Sequence, residues 1–327
     1  MRLYINYETT DEPWGGINSF IRSFKEYVYS NRKDIELLPD MDAKTDLFFM
    51  SASYYAPGKE ISTDYIKQII KNRKKIYNKI FKKNQIKIIH RLDGLRAIYN
   101  GEFIPNDQLQ IDLSHLADRI IFQSKFSLEN FQKYGEYNKY TIINNGVNQD
   151  IFNSNGKQFY KNGKLKILSS SWSTSLNKGF QTIADFSENP EIESIFVGRW
   201  NETIGKKNVK IIPPSNRYEL AKLYKEADVF LFPAKNDPCP NVVLEAMSCG
   251  LPVIYNNSGG TPELASSYGI PLPQEINTDS IDHLIESIKK KYDEIVPKIL
   301  NDNKRFSIAT IAERYLDYFR KVLKNEN

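Results

Sequence analysis

Asn236-Asp237-Pro238-Cys239-Pro240-Asn241-Val242-Val243-Leu244-Glu245-Ala246-Met247-Ser248-Cys249-Gly250-Leu251-Pro252-Val253-Ile254 is the stretch that constrains everything around it. It follows Asp228-Val229-Phe230-Leu231-Phe232-Pro233, where β-branched and aromatic residues crowd together until a proline stops them, the pattern of a buried strand. A helix is predicted to start near Asn241, after a proline-rich loop. Gly250, with Pro252 beyond it, marks its end. Val253-Ile254-Tyr255 reads as the next strand. Strand, loop, short helix and strand make a parallel βαβ unit, and ligands of such units bind at the carboxyl ends of the strands. The quoted loop lies at such an end.

Two carboxylates frame that loop, Asp237 before the helix and Glu245 about one turn inside it, with seven residues between them. The first N–H groups of a helix attract anions, and a carboxylate one turn deeper can meet a hydroxyl-bearing group attached to the anion. A sugar nucleotide carries both parts. The stretch closely resembles the donor-binding signature of the family-four glycosyltransferases. In that signature two acidic residues flank seven others, followed by a small-residue helix, a Cys-Gly-x-Pro-Val segment and a Gly-Gly-x-Pro-Glu turn. The last element is here Gly259-Gly260-Thr261-Pro262-Glu263. One departure is Asp237, where the family more often has glutamate, a side chain longer by one methylene.

The resemblance implies a GT-B fold of class α/β: two facing Rossmann-like domains with parallel sheets, and a terminal helix crossing back to the first. It implies a retaining, metal-independent transfer of a sugar from a nucleotide donor to a hydroxyl acceptor. Asn241 and Val242 would offer N–H groups to the diphosphate, Glu245 would take the ribose, Asp237 would stand nearer the transferred sugar, and Gly259 and Gly260 would line the donor site. No cofactor and no metal are implied.

The length of 327 residues suits two domains, each able to bury its own core. The expected division is an acceptor-side domain over 1–150 and a donor domain over 151–327, because Asn144-Asn145-Gly146-Val147 resembles the family's linker and a polar stretch follows to Gly163. No apolar run approaches the roughly twenty residues that span a bilayer, and Met1–Tyr7 reads as a strand rather than a signal peptide. A cytoplasmic protein is expected. Cys239 and Cys249 are placed too far apart for an easy disulfide, so reduced thiols are expected. With two cysteines and three scattered histidines, His90, His115 and His283, no Cys/His metal site can be built.

The net charge of +5 is unevenly laid. From Lys67 to Lys87 there are nine Lys or Arg and no acid, which leaves 45 − 9 = 36 basic against 40 acidic residues elsewhere. A helix predicted over Ser62–Lys83 has Ile66, Ile69, Ile70, Ile76, Tyr77, Ile80 and Phe81 on one face and lysines on the other. Its apolar face fits a Rossmann sheet. Its basic face (67–83) is either a solvated surface or a contact for an anionic membrane or another polyanion; a nucleic-acid partner is not expected.

In the first half, Gly15-Gly16 lies between a strand and a helix bearing Ile17, Phe20, Ile21, Phe24 and Val28. Paired glycines let backbone approach a phosphate, and they serve equally as a tight βα turn. A strand over Ile86–Ile89 is expected to end in His90-Arg91-Leu92-Asp93-Gly94, polar residues placed where chemistry happens. By the resemblance His90 contacts the transferred sugar, while Arg91 or Asp93 fits an acceptor-side role equally well. In the second half, Ser169-Ser170-Ser171-Trp172-Ser173 leads to Lys178-Gly179, hydroxyl and N–H donors with a cation suited to a diphosphate. The family's arginine is missing there, and Ser173 or the distant Arg199 is the expected substitute. A helix over Ile281–Tyr292 and another over Ile308–Leu323 close the chain. The reading from a different class is a non-catalytic sugar-nucleotide or polyanion binder.

Overall fold

The computed structural model describes residues 1–11, 15–42, 44–51, 54–56, 59–60, 62–77 and 86–326. They divide into two compact units, one of Met1–Thr10, Ile17–Asn144 and Ala309–Asn327, the other of Asp11–Gly16 and Asn145–Ile308.

The first unit contains β1 (Arg2–Ile5), β2 (Glu36–Leu38), β3 (Leu47–Ser51), β4 (Tyr54–Ala56), β5 (Lys59–Glu60), β6 (Lys87–Arg91), β7 (Arg119–Phe122) and β8 (Tyr140–Ile142). β4 and β5 pair antiparallel; the others form one parallel sheet in the order β2-β1-β3-β6-β7-β8. Its helices are α1 (Gly15–Asn31), which begins in the other unit's Gly15-Gly16, α2 (Thr63–Tyr77), α3 (Arg96–Asn100), α4 (Pro105–Leu116) and α5 (Lys125–Phe131). Every residue of β3 is buried, as a parallel strand covered on both faces requires. In α2, Ile66 and Ile69 are buried while Lys67 and Lys71 are exposed. The last part of the expected helix, with Lys79, Lys82 and Lys83 of its basic face and Ile80 and Phe81 of its apolar face, lies outside the described residues.

The second unit contains β9 (Leu165–Ser171), β10 (Ile192–Gly198), β11 (Lys210–Ile212), β12 (Val229–Phe232), β13 (Val253–Tyr255) and β14 (Gly269–Pro271), with α6 (Phe180–Phe186), α7 (Arg217–Glu226), α8 (Asn241–Ser248), α9 (Thr261–Ala265) and α10 (Thr278–Asp302). All strand pairs are parallel, in the order β11-β10-β9-β12-β13-β14. In sequence order this is 3-2-1-4-5-6, whose direction of winding reverses between β9 and β12. A crevice opens at such a reversal, beyond the carboxyl ends of the two strands.

The helix α10 runs well past the expected 281–292. Asn277 caps its start, its side chain accepting from Ser280 N at 2.9 Å. The buried stripe Ile281, Leu284, Ile285, Ile288, Tyr292, Ile295, Val296 and Ile299 continues through Pro297, so packing carries the helix across a residue that disfavours it. The final helix, α11 (Ile308–Leu323), belongs from Ala309 to the first unit. Tyr315 packs on Phe20 at 5.3 Å, and Phe319 packs on Phe49 at 5.1 Å and Phe24 at 6.3 Å between ring centroids. Tyr315 and Phe319 are fully buried, each contributing about 1.5–3 kcal/mol by removal from water. Tyr27 donates to Glu313 at 2.7 Å, and Arg32 also pairs with Glu313. No helix among the described residues is long and apolar enough to cross a membrane.

Candidate active site

The loops after β9 and β12, the two strands at the reversal, carry Lys178 and Asp237. Lys178 is the last residue of a 3-10 turn, Leu176–Lys178, which stops at Gly179, whose φ of +75° and closeness to Pro233 exclude a side chain. Its ammonium lies 3.1 Å from Asp237 Oδ2, both side chains being about one-quarter exposed or less. Asp237 Oδ1 accepts from Cys239 N at 3.3 Å. Behind the loop, Gly260 N donates to Asp237 O at 2.8 Å. Gly259 has φ +71°, and a Cβ there would stand 2.4 Å from that same oxygen. The two glycines thus set the backbone on which Asp237 sits.

The helix α8 begins at Asn241 after Pro240, so its opening N–H groups have no carbonyl one turn earlier. It ends in a left-handed cap: Gly250, φ +84°, follows Cys249, and Leu251 N donates to Ala246 O at 3.1 Å while Gly250 N donates to Met247 O at 2.8 Å. That double closure is the Schellman arrangement, and it fixes where the helix stops. Asn241 is held from two sides, accepting from Asn145 Nδ2 at 2.7 Å and donating to Gly16 O at 2.8 Å. Asn145 also donates through its side chain to Cys239 O at 3.2 Å and through its backbone to Cys239 Sγ at 3.3 Å. Gly15 opens α1 at φ +61°, so its place is one that glycine fills at little cost. Cys239 and Cys249 are both buried free thiols.

Glu245 lies one turn inside α8 and is 7% exposed. Its neighbours Val243, Leu244, Ala246 and Met247 are buried, and it has no ion pair among the described residues. Burial pushes its carboxyl up to about 7, against which Tyr224 acts through a hydrogen bond. Tyr224 OH is 3.5 Å from Glu245 Oε2 and 3.3 Å from the carbonyl of Val242.

Ser173 lies in the same loop after β9 as Lys178, and Arg199 directly follows the neighbouring strand β10. β9 and β10 run in register to Ser171 and Gly198, and Arg199 N donates to Ser171 O at 3.0 Å. The Arg199 guanidinium stacks 4.0 Å over Trp172, a cation–π contact. No bond links it to Lys178 or Asp237 among the described residues. Ser173 is exposed, its hydroxyl accepting from Ser175 N at 3.2 Å.

In the first unit the strand β6 does not end at Ile89. His90 pairs with Met50 and Ile120, and Arg91 with Ser51 and Ile121, so both belong to the strand, and both are 0% exposed. His90 is therefore an interior residue of the sheet in this structure, not an open strand end. Arg91 lies 4.5 Å over the ring of Phe20 and 3.4 Å from Asp93 Oδ1. Asp93 is the residue that emerges beyond the strand: it accepts from Gln123 Nε2 at 2.6 Å, and its N–H donates to Gln110 Oε1 at 3.2 Å. Nearby, burial and then the Asp93 charge push the Tyr7 phenol up to about 12.

Two partners escaped the sequence reading. Asn145 is the hub that joins the loop at Cys239 to the start of α8, although the sequence marked it only as part of a linker. Tyr224 lies on α7, and nothing in the sequence of that helix tells that its hydroxyl meets Glu245 from a different element. Among the described residues no group of three or more His, Cys, Asp or Glu could hold a metal ion.

Residues 177–326 match the family model described as glycosyl transferases group 1. A probable sucrose-phosphate synthase of Thermosipho melanesiensis is 30% identical over 144 residues, 38% of this chain and 34% of that protein. A D-inositol 3-phosphate glycosyltransferase of Saccharomonospora viridis is 26% identical over 118 residues, 35% of this chain and 27% of that protein. The chain thus spans about a third of the length of these curated relatives. Among solved structures, the sucrose-phosphate synthase of Thermosynechococcus elongatus aligns with a TM-score of 0.66 at 15% identity, covering 99% of each chain. The Anabaena protein HepE in complex with UDP aligns at 0.67 and 15% identity, covering 98% of this chain and 99% of its own. The two six-stranded parallel sheets are those of the GT-B fold.

Proposed function

We propose, from the match of residues 177–326 to the family model of the glycosyl transferases group 1, that the chain transfers a sugar from a nucleotide donor to a hydroxyl acceptor. The observation that carries this is the meeting of Lys178, Asp237 and the start of α8 at the reversal of the second sheet. A cation and a helix N-terminus together suit a diphosphate. HepE, of similar fold, is found in complex with UDP and with UDP-glucose, which supports a nucleotide sugar as the donor here.

When the bond between sugar and diphosphate breaks, negative charge grows on the departing oxygen. Lys178 and the N–H groups of Asn241 and Val242 would stabilise that charge without a metal ion. Asp237 would lie on the sugar side of the diphosphate, Glu245 would accept from the ribose, and Gly15, Gly16, Gly259 and Gly260 would keep backbone close to the donor. Retention of anomeric configuration is proposed on the family resemblance. Asp93, with Gln123 and Tyr7 around it, is the candidate for contact with acceptor or transferred sugar.

The test is a thermal-shift panel of nucleoside diphosphates and their sugars, followed by a turnover assay with the stabilising donor. At a hundred times its dissociation constant a ligand adds about 2.7 kcal/mol, which raises Tm by several degrees in domains of this size. Release of nucleoside diphosphate from the sugar nucleotide supports the transferase; affinity without any turnover would mark a sugar-nucleotide binder instead.

A further inference from the structure

We propose that Tyr224 is the positioning residue of Glu245, orienting its carboxylate and favouring its ionised form so that it can accept from the ribose of a nucleotide donor. This rests on the donor reading above. Tyr224 is fully buried on α7, and its ring is fixed by edge contacts with Phe152 at 6.1 Å and Phe230 at 5.5 Å. The hydroxyl reaches three groups: Ser170 Oγ at 3.5 Å near the end of β9, the carbonyl of Val242 at 3.3 Å in the first turn of α8, and Glu245 Oε2 at 3.5 Å. One phenol therefore joins the serine-rich strand end, the helix proposed to hold the phosphate and the carboxylate proposed to hold the ribose.

A phenol has a single proton to give. Val242 O is a neutral acceptor, whereas an ionised carboxylate is the stronger one. The Tyr224 proton thus goes to Glu245 when that group is charged and to Val242 when it is not. No lysine or arginine pairs with Glu245 among the described residues, so this hydroxyl is the polar partner that opposes its burial. Burial, followed by the Glu245 charge, pushes the Tyr224 phenol well above its ordinary range, which keeps it a donor.

The remaining charged groups around the pair do not compete for this role. Cys249, at the end of the same helix, is pushed up to about 12 by burial and stays neutral. Lys157 lies behind α7, its ammonium bonded to the carbonyls of Ala227 and, at 3.5 Å, Tyr224. It fixes the backbone from which the phenol projects. Burial pushes Lys157 down to about 8, with Asp228 opposing, and Lys225 is bonded to Asn153 at 3.0 Å.

The experiment titrates UDP, GDP and ADP by calorimetry into wild type, Tyr224→Phe and Glu245→Gln from about pH 5.5 to about pH 9. Inorganic pyrophosphate is the probe that shares the titrating phosphate and lacks the ribose. For a nucleotide that binds, wild-type affinity relative to pyrophosphate should fall as pH drops through the Glu245 transition. Tyr224→Phe should move that midpoint upward, weaken nucleotide binding at neutral pH about three- to tenfold, recover at high pH, and leave pyrophosphate unchanged. Glu245→Gln should abolish the transition. A midpoint that Tyr224→Phe leaves in place, or an equal loss at every pH for both probes, overturns the inference while Glu245 keeps its role. Wild-type nucleotide affinity in Glu245→Gln, or no nucleoside diphosphate bound by wild type, overturns the donor reading itself.

Discussion

The ammonium of Lys178 stands 3.1 Å from Asp237 Oδ2, although the two residues lie 59 positions apart in the chain and arrive on separate loops. The cation expected to meet a diphosphate is therefore already engaged by a carboxylate. An arriving diphosphate must compete with Asp237 for it.

Asp237→Asn should release Lys178, so affinity for nucleoside diphosphate should hold or rise while sugar transfer falls. Lys178→Ala should act in the opposite sense, lowering kcat about 100-fold with a smaller change in donor binding, because the departing charge is largest in the transition state. Calorimetry with the diphosphate beside a transfer assay checks both. A Lys178→Ala variant that loses only affinity would place the lysine in uniform binding.

Glu245 couples the site to pH through stability. Its carboxyl is raised from 4.5 to about 7 in the folded protein, so between those values the unfolded chain holds fewer protons than the folded one. Stability should then fall as pH rises from about 4.5 to about 7, reaching a cost of about 3 kcal/mol above that window. Glu245→Gln removes the charge, and should stabilise the protein at pH 8 while giving no advantage at pH 4. Denaturant midpoints at the two pH values read this directly.

Two glycines of the same region should differ in their tolerance of alanine. At Gly259 a Cβ would lie 2.4 Å from the backbone oxygen of Asp237, whereas at Gly250 the nearest heavy atom would be a side-chain carbon at 3.4 Å. Both have positive φ, so both pay the left-handed strain of about 1 kcal/mol. Gly259→Ala adds a backbone clash, and should cost about 2–3 kcal/mol in total together with loss of donor binding. Melting temperatures of the two variants, with a nucleotide titration, separate strain from clash.

The basic stretch from Lys67 to Lys87 carries a proposal of its own, weak association with anionic vesicles. Lys67 and Lys71 are exposed on α2. Glutamine at Lys71, Lys74, Lys75 and Lys79 should abolish sedimentation with phosphatidylserine vesicles at low salt, and added salt should do the same. Wild-type protein that ignores such vesicles removes the membrane idea and favours a soluble acceptor.

Much of the second unit was legible because its signals are local. The run Val229–Phe232, the helix start at Asn241 and the stop at Gly250 each depend on residues within one turn or one strand, and the structure places them there. Where the sequence misled, a longer-range contact decided. His90 looks like a strand terminus until its two neighbouring strands are known, and pairing on both sides buries it. Trp172 occupies a loop that reads as polar, but stacking fixes Arg199 upon it. α10 continues past Tyr292 because a buried stripe outweighs one proline. Tyr224 and Glu245 are 21 positions apart on different helices, and no period within either helix announces that they meet.

The placement of Tyr315 and Phe319 against Phe20, Phe24 and Phe49 bears on the order in which the polypeptide can mature during synthesis. The second unit is almost wholly drawn from one uninterrupted span, Asn145–Ile308, and can close as soon as that span has left the ribosome. The first unit, though translated earliest, lacks two of its core aromatics until the segment after Ile308 emerges. Its Phe24 and Phe49 then wait uncovered while its successor folds, so the half made first is the half finished last, and a ribosome stalled shortly before Tyr315 would display that waiting surface to chaperones.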